Sequence, residues 1–392
     1  EFRLLFTGRT ISLVGSAIAP VALAFAVLDL TGSKTDLGLI LAAREVPLIV
    51  FLLVGGIWAD RLPRNQVMVS ANIVSACSQA TAAALLITGN AEIWHLAALA
   101  AVNGGASAFF FPASSGVIPQ TVPAPILQQA NALLALALNS AMIGGAAIAG
   151  FLVAAFGPGW AIAIDAGTYL LGATFVARMR LPAIELSESP RFLSDLAAGW
   201  REFRSRTWLW VIVLQFSVLL MVTMGAFSVL GPAIADEELG GAKAWGAILT
   251  GQAAGLVAGG LIGLRFRPRR MLVAATLGVL AMPVLLIGLG FPLDLPVLVA
   301  IAFLAGLGGE IFGLLWNTTM QQEIPPDKLS RVYSYDALGS IGLVPVGYAI
   351  AGPVADAIGV RATLWGAAAI GIAVTLAVLA VRDVRTLERR TT

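Results

Sequence analysis

The chain has 392 residues, of which 58% are hydrophobic and only 12% charged, and its mean hydropathy is +0.90. Soluble domains carry about a quarter charged residues, so an ordinary water-facing globule is excluded and lipid must solvate most of the chain. A net charge of +2, one cysteine (Cys77) and one histidine (His95) leave no internal disulfide, no metal cluster and no basic field for a nucleic acid.

Apolar runs long enough to cross about 30 Å recur along the chain. In order they predict helices over residues 8–30, 37–59, 66–88, 93–118, 127–156 and 160–176. A polar stretch, RMRLPAIELSESPRFLSDLAAGWREFRSR, follows, and then six more runs at 208–232, 244–264, 271–291, 295–321, 330–355 and 362–381. The expected fold is an all-α membrane protein of twelve transmembrane helices. It divides into a six-helix bundle over 1–177, an amphipathic cytoplasmic linker over 178–207 and a second bundle over 208–392. The sequence opens at Glu1 without a methionine, so residues before it are expected, and no cleavable signal peptide is read there.

Cations test the count. Segments 1–9, 61–64, 178–206, 265–270, 328–331 and 382–390 hold 20 of the 24 Lys and Arg. With twelve helices all of these fall on one side, which the positive-inside bias assigns to the cytoplasm together with both termini. Lys34, Lys243 and Arg361 fall on the other side, and Arg44 falls within a span. The halves also echo each other at an offset of 202 residues. VPAPIL (122–127) meets IPPDKL (324–329), AIAG recurs at 147–150 and 349–352, and Gly157 meets Gly359. Paired six-helix repeats are a transporter architecture that holds substrate near mid-membrane.

One charge cluster interrupts the apolar rhythm: GGIWADRLPRN (55–65), between helices two and three. Its pattern Gly56-x-x-x-Asp60-Arg61-x-x-Arg64 resembles the signature of the major facilitator superfamily in the same loop. The resemblance implies the major facilitator fold, two six-helix pseudo-repeats, and a conformational latch formed by Gly56, Asp60, Arg61 and Arg64. By the same analogy Asp336, at the start of helix eleven, or the N-terminal end of that helix is the group that Arg61 or Asp60 of the latch engages. The equivalent loop of the second half, GGLIGLRFRPRR (259–270), keeps glycines and cations but lacks the acid. LTGSKTDLGLILAAREVP, FFFPASSGVIPQTVPAPILQQANAL and IDAGTYLLGA are similar to the macrolide-efflux and enterobactin-exporter type of facilitator, a group of drug/proton antiporters. Helix five departs from that group, with Gly144 and Gly145 in NSAMIGGAAIAG where a Gly-Pro step is usual.

An ionisable group at mid-bilayer costs a few kcal/mol or more and needs a role. Glu310 in LAGLGGEIFGLLWN lies roughly 22 Å along helix ten and is the leading proton carrier. Arg44 and Glu45 on helix two project about 100° apart, so each is expected to have its own partner. Asp29, at the end of helix one, is a further proton-coupling or outer-gate candidate. Asp165 reads as structural. Asn103, Phe109, Asn139, Gln215, Gln252, Trp316 and Asn317 are the substrate-cavity candidates, a largely apolar set that suits bulky ligands.

No Gly-x-Ser-x-Gly, His-Glu-x-x-His or Walker loop is present, so neither an enzyme nor a nucleotide-driven pump is expected, and no cofactor. The reading is a monomeric secondary transporter of the plasma (inner) membrane. It exports lipophilic small molecules by alternating access in exchange for protons. A lipid or lysophospholipid flippase and a siderophore exporter on the same fold are the alternatives.

Overall fold

The computed structural model describes residues 1–123, 126–181, 192–263 and 265–388; the side chains of 52–61, 116, 128, 132, 192–198, 326–327 and 330–331 are outside the described set. All regular structure in these residues is helical. By its contacts the chain divides into one unit of residues 1–186 with 232–250 and a second of 187–231 with 251–392.

The first unit contains α1 (Phe2–Thr31), α2 (Lys34–Arg61), α3 (Arg64–Ile87), α4 (Ile93–Thr121), α5 (Leu127–Phe156) and α6 (Pro158–Ala177). Here α2 packs along α4, α6 lies against both α1 and α3, and α1 also meets α5. Leu5, Met68, Val117, Leu134 and Val176 form a core towards the end of the unit that carries the N-terminus. The second unit begins with the linker helix α7 (Phe192–Ser205), followed by α8 (Thr207–Ile234) and α9 (Ala242–Gly263). The far ends of α8 and α9, with a π-helical turn at Ala235–Leu239 between them, belong to the first unit. Then come α10 (Met271–Val279), α11 (Ala281–Leu289), α12 (Leu295–Glu323), α13 (Pro326–Ile341), α14 (Val344–Ile358), α15 (Val360–Ala380) and the short α16 (Arg382–Thr386).

Eleven helices or helix pairs among the described residues are long and apolar enough to cross a membrane, and α2, with 28 residues, is a further helix of spanning length. Large apolar side chains such as Leu136, Phe151 and Leu261 stand more than half exposed. In water that would be an aggregation surface, and in a bilayer it is the lipid-facing wall. Two predicted spans are not single helices. The run 271–291 breaks at Leu280, and the run 330–355 turns at Gly342 and Leu343. Pro283 has no N–H for the carbonyl of Val279, and Pro345 none for that of Ile341, so the ladder is interrupted just upstream of each proline. By contrast α2 continues through Pro47.

Gly157 (φ 85°, ψ 162°) joins α5 to α6, and Gly359 (φ 91°, ψ 150°) joins α14 to α15. The same positive-φ, extended-ψ corner therefore recurs at the two positions that match in the sequence, in a backbone region that favours glycine. A second use of glycine is close approach. Gly251, Gly255, Gly259 and Gly263 recur every fourth residue on α9 and face α12; a methyl on Gly255 would strike the carbonyl of Phe303, and one on Gly306 that of Gln252. Backbone thus meets backbone, the small-residue packing that membrane helices favour.

Candidate functional site

Of the expected latch, the helix backbone runs to Arg61, Pro63 caps α3, and half-buried Arg64 is the first residue of α3. The surroundings of Gly56 and the side chains of Asp60 and Arg61 lie outside the described set. Asp336 is half-buried on α13, where its Oδ2 accepts a hydrogen bond from Trp316 Nε1 of α12 at 3.0 Å and its Oδ1 one from Ser340 Oγ at 3.4 Å. A latch candidate and a cavity candidate thus hold one another.

The coupling candidates occupy three places. Glu310 stands at the middle of α12 against Gly259 and Gly260 of α9, half-buried and without a hydrogen-bond or ionic partner among the described residues. A methyl on Gly259 would strike the Glu310 Cβ, so the glycine is what lets α9 approach α12 at this acid. Arg44 and Glu45 depart from the expectation of separate partners: Arg44 Nη1 reaches Glu45 Oε1 at 2.6 Å. A long guanidinium stem can fold back along its own helix and span the 100° between neighbours. Asp29 is exposed at the end of α1 beside the like charge of Asp236, and lines a 380 Å³ cleft with Ile87, Phe156 and Trp160. At the same end, Lys34 pairs with Glu237 of the π turn at 2.8 Å.

The cavity candidates separate by environment. Phe109 packs on Phe51 and lines a 650 Å³ apolar cavity with Pro47 of α2, Gln66, Ser70 and Val74 of α3, and Val102 of α4. That volume is of drug size. Asn103 is buried on α4, and its Nδ2 has no partner among the described residues. Gln215 is buried and donates to Thr375 Oγ1 at 3.1 Å, tying α8 to α15. Gln252 donates to Met282 Sδ at 3.8 Å, and Trp316 packs edge-on against Trp208 and stacks near Phe312. These three join helices of their own bundle. Asn139 is exposed on α5, and Asn317 is exposed and returns its amide to Gly313 of its own helix.

Two features escape a sequence reading. Asp165 has no exposed surface and accepts a hydrogen bond from Gln79, 86 residues away, at 2.6 Å. The linker helix docks on α13, with Trp200 and Phe203 both against Tyr335 at 5.4 and 5.9 Å, and with Glu202 bonded to Lys328 at 2.9 Å and to Arg206 at 2.8 Å. Lys328 first, and Arg206 next, hold the Glu202 carboxyl below the usual carboxylate range. The amphipathic pattern of α7 was the signal available for that docking.

Eleven helices long and apolar enough to cross a membrane among the described residues, with ionisable groups such as Glu310 and Asp165 within them, fit a membrane transporter. The chain belongs to the Major Facilitator Superfamily, whose family model matches residues 5–343. It is 24% identical over 368 residues to macrolide efflux protein A of Streptococcus pyogenes, covering 92% of this chain and 91% of that protein. It is 25% identical over 363 residues to the multidrug efflux pump Tap of Mycolicibacterium fortuitum, covering 89% and 88%. To the enterobactin exporter EntS of Escherichia coli O1:K1 / APEC it is 27% identical over 405 residues, covering 98% and 93%. The crystal structure of the nucleoside transporter NupG superposes with a TM-score of 0.76 at 12% identity, over 97% of this chain and 98% of that one, a likeness of fold alone.

Proposed function

We propose that the protein exports lipophilic small molecules, cationic ones among them, by alternating access and in exchange for protons. It does so across the plasma membrane with both termini in the cytoplasm. The observation that carries the coupling is Glu310, a half-buried carboxyl at mid-helix packed against Gly259 and Gly260, with no cation bonded to it among the described residues. Such a group can hold a proton in one stage of a cycle and a cationic substrate in another. The full-length similarity to proteins named for macrolide, multidrug and enterobactin efflux supports export. The 650 Å³ apolar cavity of the first unit supports lipophilic ligands, and the clustering of Lys and Arg supports the orientation. An anionic chelator would need a cation to receive it, and Arg44 already bonds Glu45.

The test is proton movement in proteoliposomes that enclose a pH dye and are challenged with a panel of lipophilic drugs. Drug-triggered flux in the native protein, lost in Glu310→Gln, is the expected result. Flux that survives the substitution moves the carrier to Glu45 or Asp29. No flux with any drug rejects proton-coupled drug export and makes labelled-lipid translocation the next assay.

A further inference from the structure

Asp165 has no part in the reading above, yet among the described residues it is the acid most completely enclosed in the first unit. Its side chain has no exposed surface. Oδ2 accepts from Gln79 Nε2 of α3 at 2.6 Å, while Oδ1 meets no donor among the described residues. From α1 the facing residue is Gly15, where a methyl group would collide with Oδ1 and with Thr168 Oγ1. The Thr168 hydroxyl lies on the same side as Oδ1 and acts on the carboxyl electrostatically, but its hydrogen bond goes to the backbone carbonyl of Asp165 at 2.7 Å. On the same helix Tyr169 shares a hydrogen bond of 3.0 Å with Ser16 of α1. Arg44 of α2 is the cation whose field reaches both Asp165 and Tyr169. The neighbouring elements supply little else. α5 has no charged residue, Arg64 of α3 is fifteen residues from Gln79, and Arg9 and Asp29 of α1 are six and fourteen residues from Gly15.

We infer that Asp165 is a proton-exchanging carboxyl of the first unit and that Arg44 responds to its charge. The inference rests on the proton-exchange reading and adds a second site to it. A bare carboxylate inside hydrocarbon, with one oxygen lacking a donor, would attract the guanidinium of Arg44, whose field acts on it. Arg44 instead bonds Glu45. That choice fits a neutral Asp165 whose proton is on Oδ1. Release breaks the Oδ1–H bond, passes the proton to water and leaves a negative charge on the carboxylate. Arg44 then has two anions to serve, Glu45 on its own helix and Asp165 on α6. Rebinding the proton at Oδ1 returns Arg44 to Glu45. No electrons change hands. Gln79 fixes the other oxygen throughout, which leaves Oδ1 as the exchanging atom.

The test reads the carboxyl directly, whatever the chain transports. Infrared difference spectra of the full chain in lipid nanodiscs, taken across the pH range in which the chain stays folded, should show a protonated-carboxyl C=O band that appears and disappears reversibly. Asp165→Asn should remove that band and Glu310→Gln should leave it in place. Gln79→Leu, which removes the one donor and keeps the acid, should move the same band to higher wavenumber and serves if Asp165→Asn does not fold. A spectrum unchanged by both Asp165→Asn and Gln79→Leu overturns the assignment. Absence of drug-driven proton flux in liposomes with the band still present would reject the export reading alone.

Discussion

Trp316 Nε1 donates to Asp336 Oδ2 at 3.0 Å across the joint between α12 and α13. The indole itself is buried against Trp208 and Phe312. Replacing Trp316 with Phe keeps most of the apolar contact and removes the donor, leaving Asp336 with the longer bond to Ser340. The expected loss is about 1–3 kcal/mol, read as a lower thermal midpoint in detergent. Asp336→Asn should cost less in the Trp316→Phe background than in the native one, and additive losses would show that the pair is not coupled.

Glu202 gives a pH dependence with a defined sign. Its folded-state carboxyl is held below the usual range by Lys328 and Arg206. Its contribution is therefore fully present above the unfolded value of about 4.3 and fades as pH falls through the lower folded value. Lys328 is 41% exposed, so solvent screening keeps the effect below about 1 kcal/mol. Melting curves of native protein and Glu202→Gln should differ at neutral pH and converge in acid. A gap that widens in acid would contradict the ion-pair account.

The α9–α12 crossing predicts opposite outcomes for two glycines. Gly255→Val drives a side chain into the Phe303 carbonyl, which should cost about 1–3 kcal/mol or more in stability. Gly309 on α12 has open space where a methyl would go, so Gly309→Ala should stay within about 0.5 kcal/mol of native. Detergent-stability midpoints of the two variants decide the point, and equal losses would mean that the crossing is not tight.

Gln215 should prove a helix tie and not a ligand contact. Its Nε2 bonds Thr375, and its Oε1 has no partner among the described residues. Gln215→Met removes both polar atoms at similar volume, and the Thr375 hydroxyl keeps its bond to Gly371. A stability change below about 1 kcal/mol is expected, with drug efflux from intact cells unaltered. A selective loss of efflux for particular drugs would return Gln215 to the binding surface.

Apolar runs made the helices legible, and Leu127–Phe156 was placed to the residue. The breaks at Leu280 and at Gly342–Leu343 were not, because hydropathy continues through Pro283 and Pro345 while the hydrogen-bond ladder does not. Side-chain partnerships were the larger loss. Trp316 and Asp336 could each be picked out as unusual, but their meeting depends on the relative rotation of α12 and α13, which neither helix's own pattern fixes. The pairing of Asp165 with Gln79 likewise joins α6 to α3, whose facing is set by all the neighbours of both. Arg44 and Glu45 were separated on paper by helical geometry, and the flexible arginine stem closes that gap. The glycines at 251, 255, 259 and 263 could have been read, since a four-residue period of small residues is itself a packing signal.

That stripe has a mechanical consequence. Side-chain rotamers are the soft component of most helix contacts, and where Gly255 and Gly306 meet the facing backbone there are none to deform. A push on one helix at those two crossings is passed backbone to backbone, which stiffens the pair into a single strut. Glu310 is fixed to that strut. A change in its charge would act on a rigid lever and not on a yielding core.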